Sequence, residues 1–107
     1  MNIITNDTAL CEEAIAALRE VIDPEIGLNI VDLGLIYQLD FDAPNSNIYA
    51  SMTLTTQFCP MGASIVDGVK EALQTAFPGY EAAVTLTFDP PWRPQRISAE
   101  GQQFLNR

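Results

Sequence analysis

The sequence has no histidine, only two cysteines and only five basic residues among its 107 positions. Without histidine, Ser–His and Cys–His nucleophile pairs are excluded, and so are histidine-bearing zinc sites. Two cysteines, Cys11 and Cys59, make no disulfide framework and are too few to hold a metal cluster alone. Five basic residues against 14 acidic ones give a formal charge of −9. A chain so charged repels phosphate backbones and anionic lipid heads, so no nucleic-acid or membrane partner is expected. No apolar run reaches membrane-spanning length, and the stretch from Met1 to Ala9 is polar, without a basic residue or a signal-peptide pattern. The expected location is the cytoplasm.

What is present is an ordinary globular composition, 48% hydrophobic and 18% charged, at the length of one domain spanning residues 1–107. Apolar residues Leu10, Cys11, Ala14, Ile15, Leu18, Val21 and Ile22 recur at helical spacing and predict a helix from about Thr8 to Ile22. Asn6, Asp7 and Thr8 offer its N-cap, Glu12 and Glu13 suit its positive end, and Pro24 is expected to stop it. Odd positions from Val31 to Phe41 are apolar, which predicts a strand with Asp32 and Gly34 on its polar face. Gly34 weakens a strand unless something packs closely on it, a partner or the terminal segment. A turn over Ala43–Asn47 leads into a second strand with Ile48, Ala50, Met52 and Leu54 inward.

Pro60 at the first helical position makes Cys59 the expected N-cap of a second helix, with Ile65, Val69, Leu73 and Ala76 as its apolar stripe and Pro78-Gly79 as its end. A third strand covers about Ala82 to Phe88. Trp92, in a proline-rich extended segment, is expected to cover a core edge, and Ser98 to cap a short terminal helix. The order α-β-β-α-β predicts an α+β, two-layer α/β domain. Its three-stranded mixed sheet would carry both main helices on one face and be followed by a short C-terminal helix.

Cys59 stands at a strand-to-helix turn, where helical amides and the helix dipole favour thiolate over thiol and raise reactivity toward metals. Thr55 and Thr56 add hydroxyl donors there. The same position also suits a cysteine that merely caps a helix or fills a pocket. Cys11 lies on the apolar stripe and reads as core. Asp23-Pro24-Glu25 flanks a rigid proline with two carboxylates; taken alone, it reads as a helix-terminating turn with solvated charges.

Five segments together resemble the metal–sulfur cluster biosynthesis family, the PaaD-like and SufT-like proteins. They are residues 17–25, Ile30–Tyr37, Met52–Thr56, Cys59-Pro60-Met61-Gly62 and Asp89-Pro90-Pro91-Trp92, and the likeness spans about residues 14 to 105. The resemblance implies iron–sulfur cluster assembly rather than catalysis. It also turns Asp23, Glu25, Thr55, Thr56 and Cys59 into one functional surface, with Cys59 as the metal ligand. Because one thiol cannot hold a cluster, transient binding of iron or a cluster is expected, with further ligands from a second copy (a homodimer) or a partner. Assembly proteins and apo-clients are the implied partners. Phe58 stands where relatives often have a small residue. PaaD proper carries extra cysteines in a C-terminal extension that are missing from this sequence, so a SufT-like role in general maturation fits better.

Overall fold

The computed structural model describes residues 3–55 and 62–106. Asp7 starts the first helix, its carboxylate accepting from the Leu10 amide at 3.1 Å. Helix α1 (Thr8–Leu18) buries Cys11, Ala14 and Leu18, the stripe expected from the spacing. Two expectations fail here. No acidic residue falls within its first turn, so Glu12 and Glu13 sit too far along to serve the dipole. The helix also ends before Pro24: the Glu20 and Val21 amides tighten onto Ala17 and Leu18, and the chain peels away so that Ile22 can bridge Asn29. Tertiary pairing, not proline, terminates it.

The predicted three-stranded sheet is corrected to four strands in the spatial order β1-β2-β3-β4. Strand β1 (Ile4–Thr5) is parallel to β2 (Ile36–Asp42), β2 is antiparallel to β3 (Asn47–Met52), and β3 is parallel to β4 (Glu81–Leu86). Two residues are too few to show alternation in a sequence. What holds β1 in place is Asn6, whose side chain donates to the Phe41 carbonyl (3.0 Å) and accepts from the Phe41 amide (2.9 Å). The expected hairpin between β2 and β3 is present.

Strand β2 also starts later than expected. Residues 30–34 form a turn, closed by Leu33 N–H to Asn29 O, Gly34 N–H to Val31 O and Leu35 N–H to Ile30 O. The turn buries Ile30, Val31 and Leu33, so their apolar character was real while the period-two reading was not. Asp32 therefore does not lie on a solvated strand face; it is buried.

Helix α2 (Gly62–Ala76) links β3 to β4 and buries Ile65, Val69 and Leu73. Ala76, expected on that stripe, is exposed. Phe77 takes the place in the core, with ring centroids 5.5 Å from Phe41 and 6.0 Å from Tyr80. One cluster joins Leu18 of α1 and Val69 of α2 to Leu39, Ile48 and Ala82 of the sheet, while Tyr49 faces away at 48% exposure. Cys11 belongs to this core. Burial pushes its thiol pKa up, with Glu12 adding to the rise and a hydrogen bond with Thr5 opposing it. Native Cys11 should resist alkylation at neutral pH and react only on unfolding; mass spectrometry after brief iodoacetamide exposure checks this.

The chain then crosses back as a strap. Tyr37 Oη donates to the Pro90 carbonyl at 2.9 Å, and Trp92 Nε1 donates to the Leu33 carbonyl at 2.7 Å, so the tryptophan does cover a core edge. A 3₁₀ turn (Pro94–Arg96) follows, and Ser98 caps α3 (Ala99–Leu105) by accepting from Gly101 N at 3.0 Å.

Candidate functional site

Asp23 opens a tight turn. Its side chain accepts from the Glu25 amide at 2.8 Å, and its carbonyl accepts from Gly27 at 2.7 Å and Ile26 at 3.3 Å. At 2% exposure its carboxylate is not a solvated charge; it holds the turn and presents Glu25, which is exposed. Gly27, at φ +82°, takes the left-handed conformation that lets the turn close.

A backbone ladder ties this turn to the end of β3. Ile30 N donates to Val21 O (3.0 Å), Leu35 N to Ile30 O (3.1 Å) and Thr53 N to Leu35 O (2.8 Å). Thr55, half-buried, follows directly. At the far side of residues 56–61, Gly62 is buried, and a Cβ there would stand 2.7 Å from Leu54 Cδ1. Leu54 and Gly62 therefore bring the two ends of that segment together. A Cβ on Gly68 would stand 3.3 Å from Val21, so α2 passes close to the end of α1. The backbone ladder thus links the Asp23 turn to the edge of the domain at which Leu54 and Gly62 come together. Thr56, the expected cap Cys59 and Pro60 after it themselves lie outside the described residues.

The ionic centre of this edge is a residue the sequence did not flag as a hub. Asp32 accepts from Asn29 Nδ2 (2.7 Å), Ser98 Oγ (2.8 Å) and Arg19 Nη1 (3.1 and 3.3 Å). Burial would raise its pKa, but the bonds from Asn29 and Ser98 and the Arg19 charge outweigh it and hold the carboxyl below its ordinary value. The Ser98 amide also donates to the Asp32 carbonyl at 2.8 Å. Asn29 is a local partner, but Arg19 and Ser98 lie 13 and 66 residues from Asp32, so no local pattern announces the whole junction. Among the described residues, no three His, Cys, Asp or Glu side chains cluster to hold a metal ion. Nor is any helix among them long and apolar enough to cross a membrane.

A mixed four-stranded sheet, with two helices on its inner face and a C-terminal strap pinned beside the Asp23 turn, defines a mixed α/β domain with a recurring plan. The same plan is found in a solved domain of unknown function, DUF59, from Bacillus anthracis: TM-score 0.85, 39% identity, 92% of each chain covered. Residues 12–86 match the family model described as iron–sulfur cluster assembly protein, and the chain belongs to that family. It is similar to the Fe-S protein maturation auxiliary factor YitW of Bacillus subtilis, with 39% identity over 92 residues, 86% of this chain and 89% of that protein. It is also similar to the Fe-S protein maturation auxiliary factor SufT of Staphylococcus aureus, with 40% identity over 78 residues, 73% of this chain and 88% of the relative.

Proposed function

We propose that this protein is a non-catalytic, cytoplasmic iron–sulfur protein maturation factor of the SufT type. In this reading it transiently binds iron or an iron–sulfur cluster as cargo through Cys59 and helps pass it to apo-proteins. The observation that carries the reading is the family match over residues 12–86, which contains both the Asp23 turn and Cys59, in relatives named for Fe-S protein maturation. Cys11 is buried in the core, which leaves Cys59 as the sulfur to offer. One thiolate needs co-ligands, so the rest of the coordination comes from the assembly protein, the client or a second copy. In this reading Glu25, Thr55 and Thr56 assist Cys59, and Asp23 holds the turn that presents Glu25.

Anaerobic reconstitution with iron and sulfide, followed by absorption spectroscopy and gel filtration, tests the ligand. Wild type is expected to acquire a sulfide-to-iron charge-transfer band that Cys59→Ala loses. A stable cluster on Cys59→Ala removes the assignment.

A second reading, favoured by the commitment of Asp23 to its own turn, is an adaptor that recruits assembly proteins through the same edge without touching metal. Cys59→Ser in cells lacking the wild-type copy separates the two. Loss of iron–sulfur enzyme activity with partner binding retained fits the ligand role, and full rescue fits the adaptor.

A further inference from the structure

A cleft of about 550 Å³ lies between the end of α1, the 30–34 turn and the start of α3. Ile3, Val31, Ile36 and Ile97 give it apolar walls, and Arg19 and Arg96 supply two of the five basic residues in the chain. Its volume falls in the range of small-molecule pockets, which pair apolar walls with a few fixed polar groups.

Both guanidinium groups are held in place. Arg96 lies 4.1 Å above the Tyr37 ring centroid, and its Nε donates to the Gly34 carbonyl at 3.2 Å. Those contacts use the face and inner edge of the group. Among the described residues its two Nη nitrogens make no hydrogen bond, so the outer fork is available. Arg19 commits Nη1 to Asp32, which offsets its charge and leaves Arg96 as the principal reader. Glu100, exposed at the rim, opposes an anion there. A planar, pre-oriented guanidinium fork matches a carboxylate geometrically and loses little rotamer freedom on binding it.

We propose that this cleft binds a small organic carboxylate with a short apolar body, the acid group on the Arg96 fork and the body against the isoleucine and valine walls. The inference stands independently of the role of Cys59.

Hexanoate, 1-hexanol and inorganic phosphate, titrated separately into the isotopically labelled full chain, test it through amide chemical shifts in NMR. Hexanoate is expected to shift Gly34, Ile36, Ile97 and Ser98 saturably below about 10 mM, and at least about tenfold more tightly than either of the other probes. Equal binding of 1-hexanol or phosphate, shifts centred elsewhere, or no saturation overturns the proposal. Arg96→Gln is expected to weaken hexanoate at least about tenfold, and unchanged affinity contradicts the assigned reader. Glu100→Gln, which leaves the fork and its stacking intact, is expected to tighten hexanoate about twofold at low ionic strength. Weaker binding in that variant reverses the sign of the argument.

Discussion

Asp32→Ala is expected to destabilise the domain by about 3 kcal/mol, because it removes the acceptor of three donors at once. Each half-buried donor left without a partner costs about 1–3 kcal/mol. The Arg19 component is discounted, since that side chain is 41% exposed and its charge is screened by solvent. The loss should not stay local, because Ser98 also caps α3 and its amide is bonded to the Asp32 carbonyl. Urea unfolding monitored by far-ultraviolet circular dichroism measures the cost. A change below about 1 kcal/mol would show that water replaces the carboxylate freely.

Asp32→Asn, which keeps one acceptor oxygen, should cost less and should expose the pH dependence. The folded-state pKa of Asp32 is depressed, so the ionised carboxylate contributes stability that is fully present above its unfolded pKa of about 3.9. That contribution is lost as pH falls through the lower, folded-state value. The stability difference between wild type and Asp32→Asn should therefore be flat near neutrality and shrink below about pH 4. A difference that grows on acidification would contradict the direction of the shift.

Gly34→Ala is the second large effect, about 2–4 kcal/mol, and it has two separable causes. Gly34 sits at φ +78°, where an L side chain is strained by about 1 kcal/mol. Its added Cβ would also stand 2.7 Å from Arg96 Cβ and 2.9 Å from the Arg96 carbonyl carbon, so the strap has to move. Gly79→Ala is the control. It has φ +91° and nothing within 4 Å of the added Cβ, so strain alone should cost it about 1 kcal/mol. Trp92, the single tryptophan, reports on the strap through its bond to Leu33. In Gly34→Ala its fluorescence transition should precede the loss of helix signal, whereas in Gly79→Ala the two should coincide. Equal costs at the two glycines would mean that the strap accommodates the methyl group and that close packing is not why glycine stands at position 34.

Gly34 also shows how far sequence reasoning reached. Its smallness implied that something packs on it, and the terminal segment was one of two occupants foreseen. The structure shows the strap at Arg96 in that place, held further by the Arg96 stack on Tyr37. The Asp23-Pro24-Glu25 and Cys59-Pro60-Met61-Gly62 stretches were likewise legible as motifs. What joins their surroundings is a ladder through Val21, Ile30, Leu35 and Thr53, made of backbone groups that every residue carries and no motif records.

The sequence by itself determined whatever depends on neighbours a few residues apart. The Asp7 and Ser98 caps, the hairpin turn before Asn47, the Ile65-Val69-Leu73 stripe and the burial of Cys11 all follow from side chains acting within a turn or two. Family membership was legible for a related reason, since it rests on five short segments in order. Tertiary structure alone decided the fourth strand, the end of α1 before Pro24, the turn that replaces the start of β2, and the burial of Asp32. Each depends on partners beyond the reach of a helical turn or a strand repeat: Asn6 on Phe41, Ile22 on Asn29 across its loop, Asp32 on Arg19 and Ser98. Apolar spacing near 31–35 states only that these residues avoid water, and a buried turn satisfies that as well as a strand does. The choice between them was made by the backbone hydrogen bonds that the rest of the fold left to be filled.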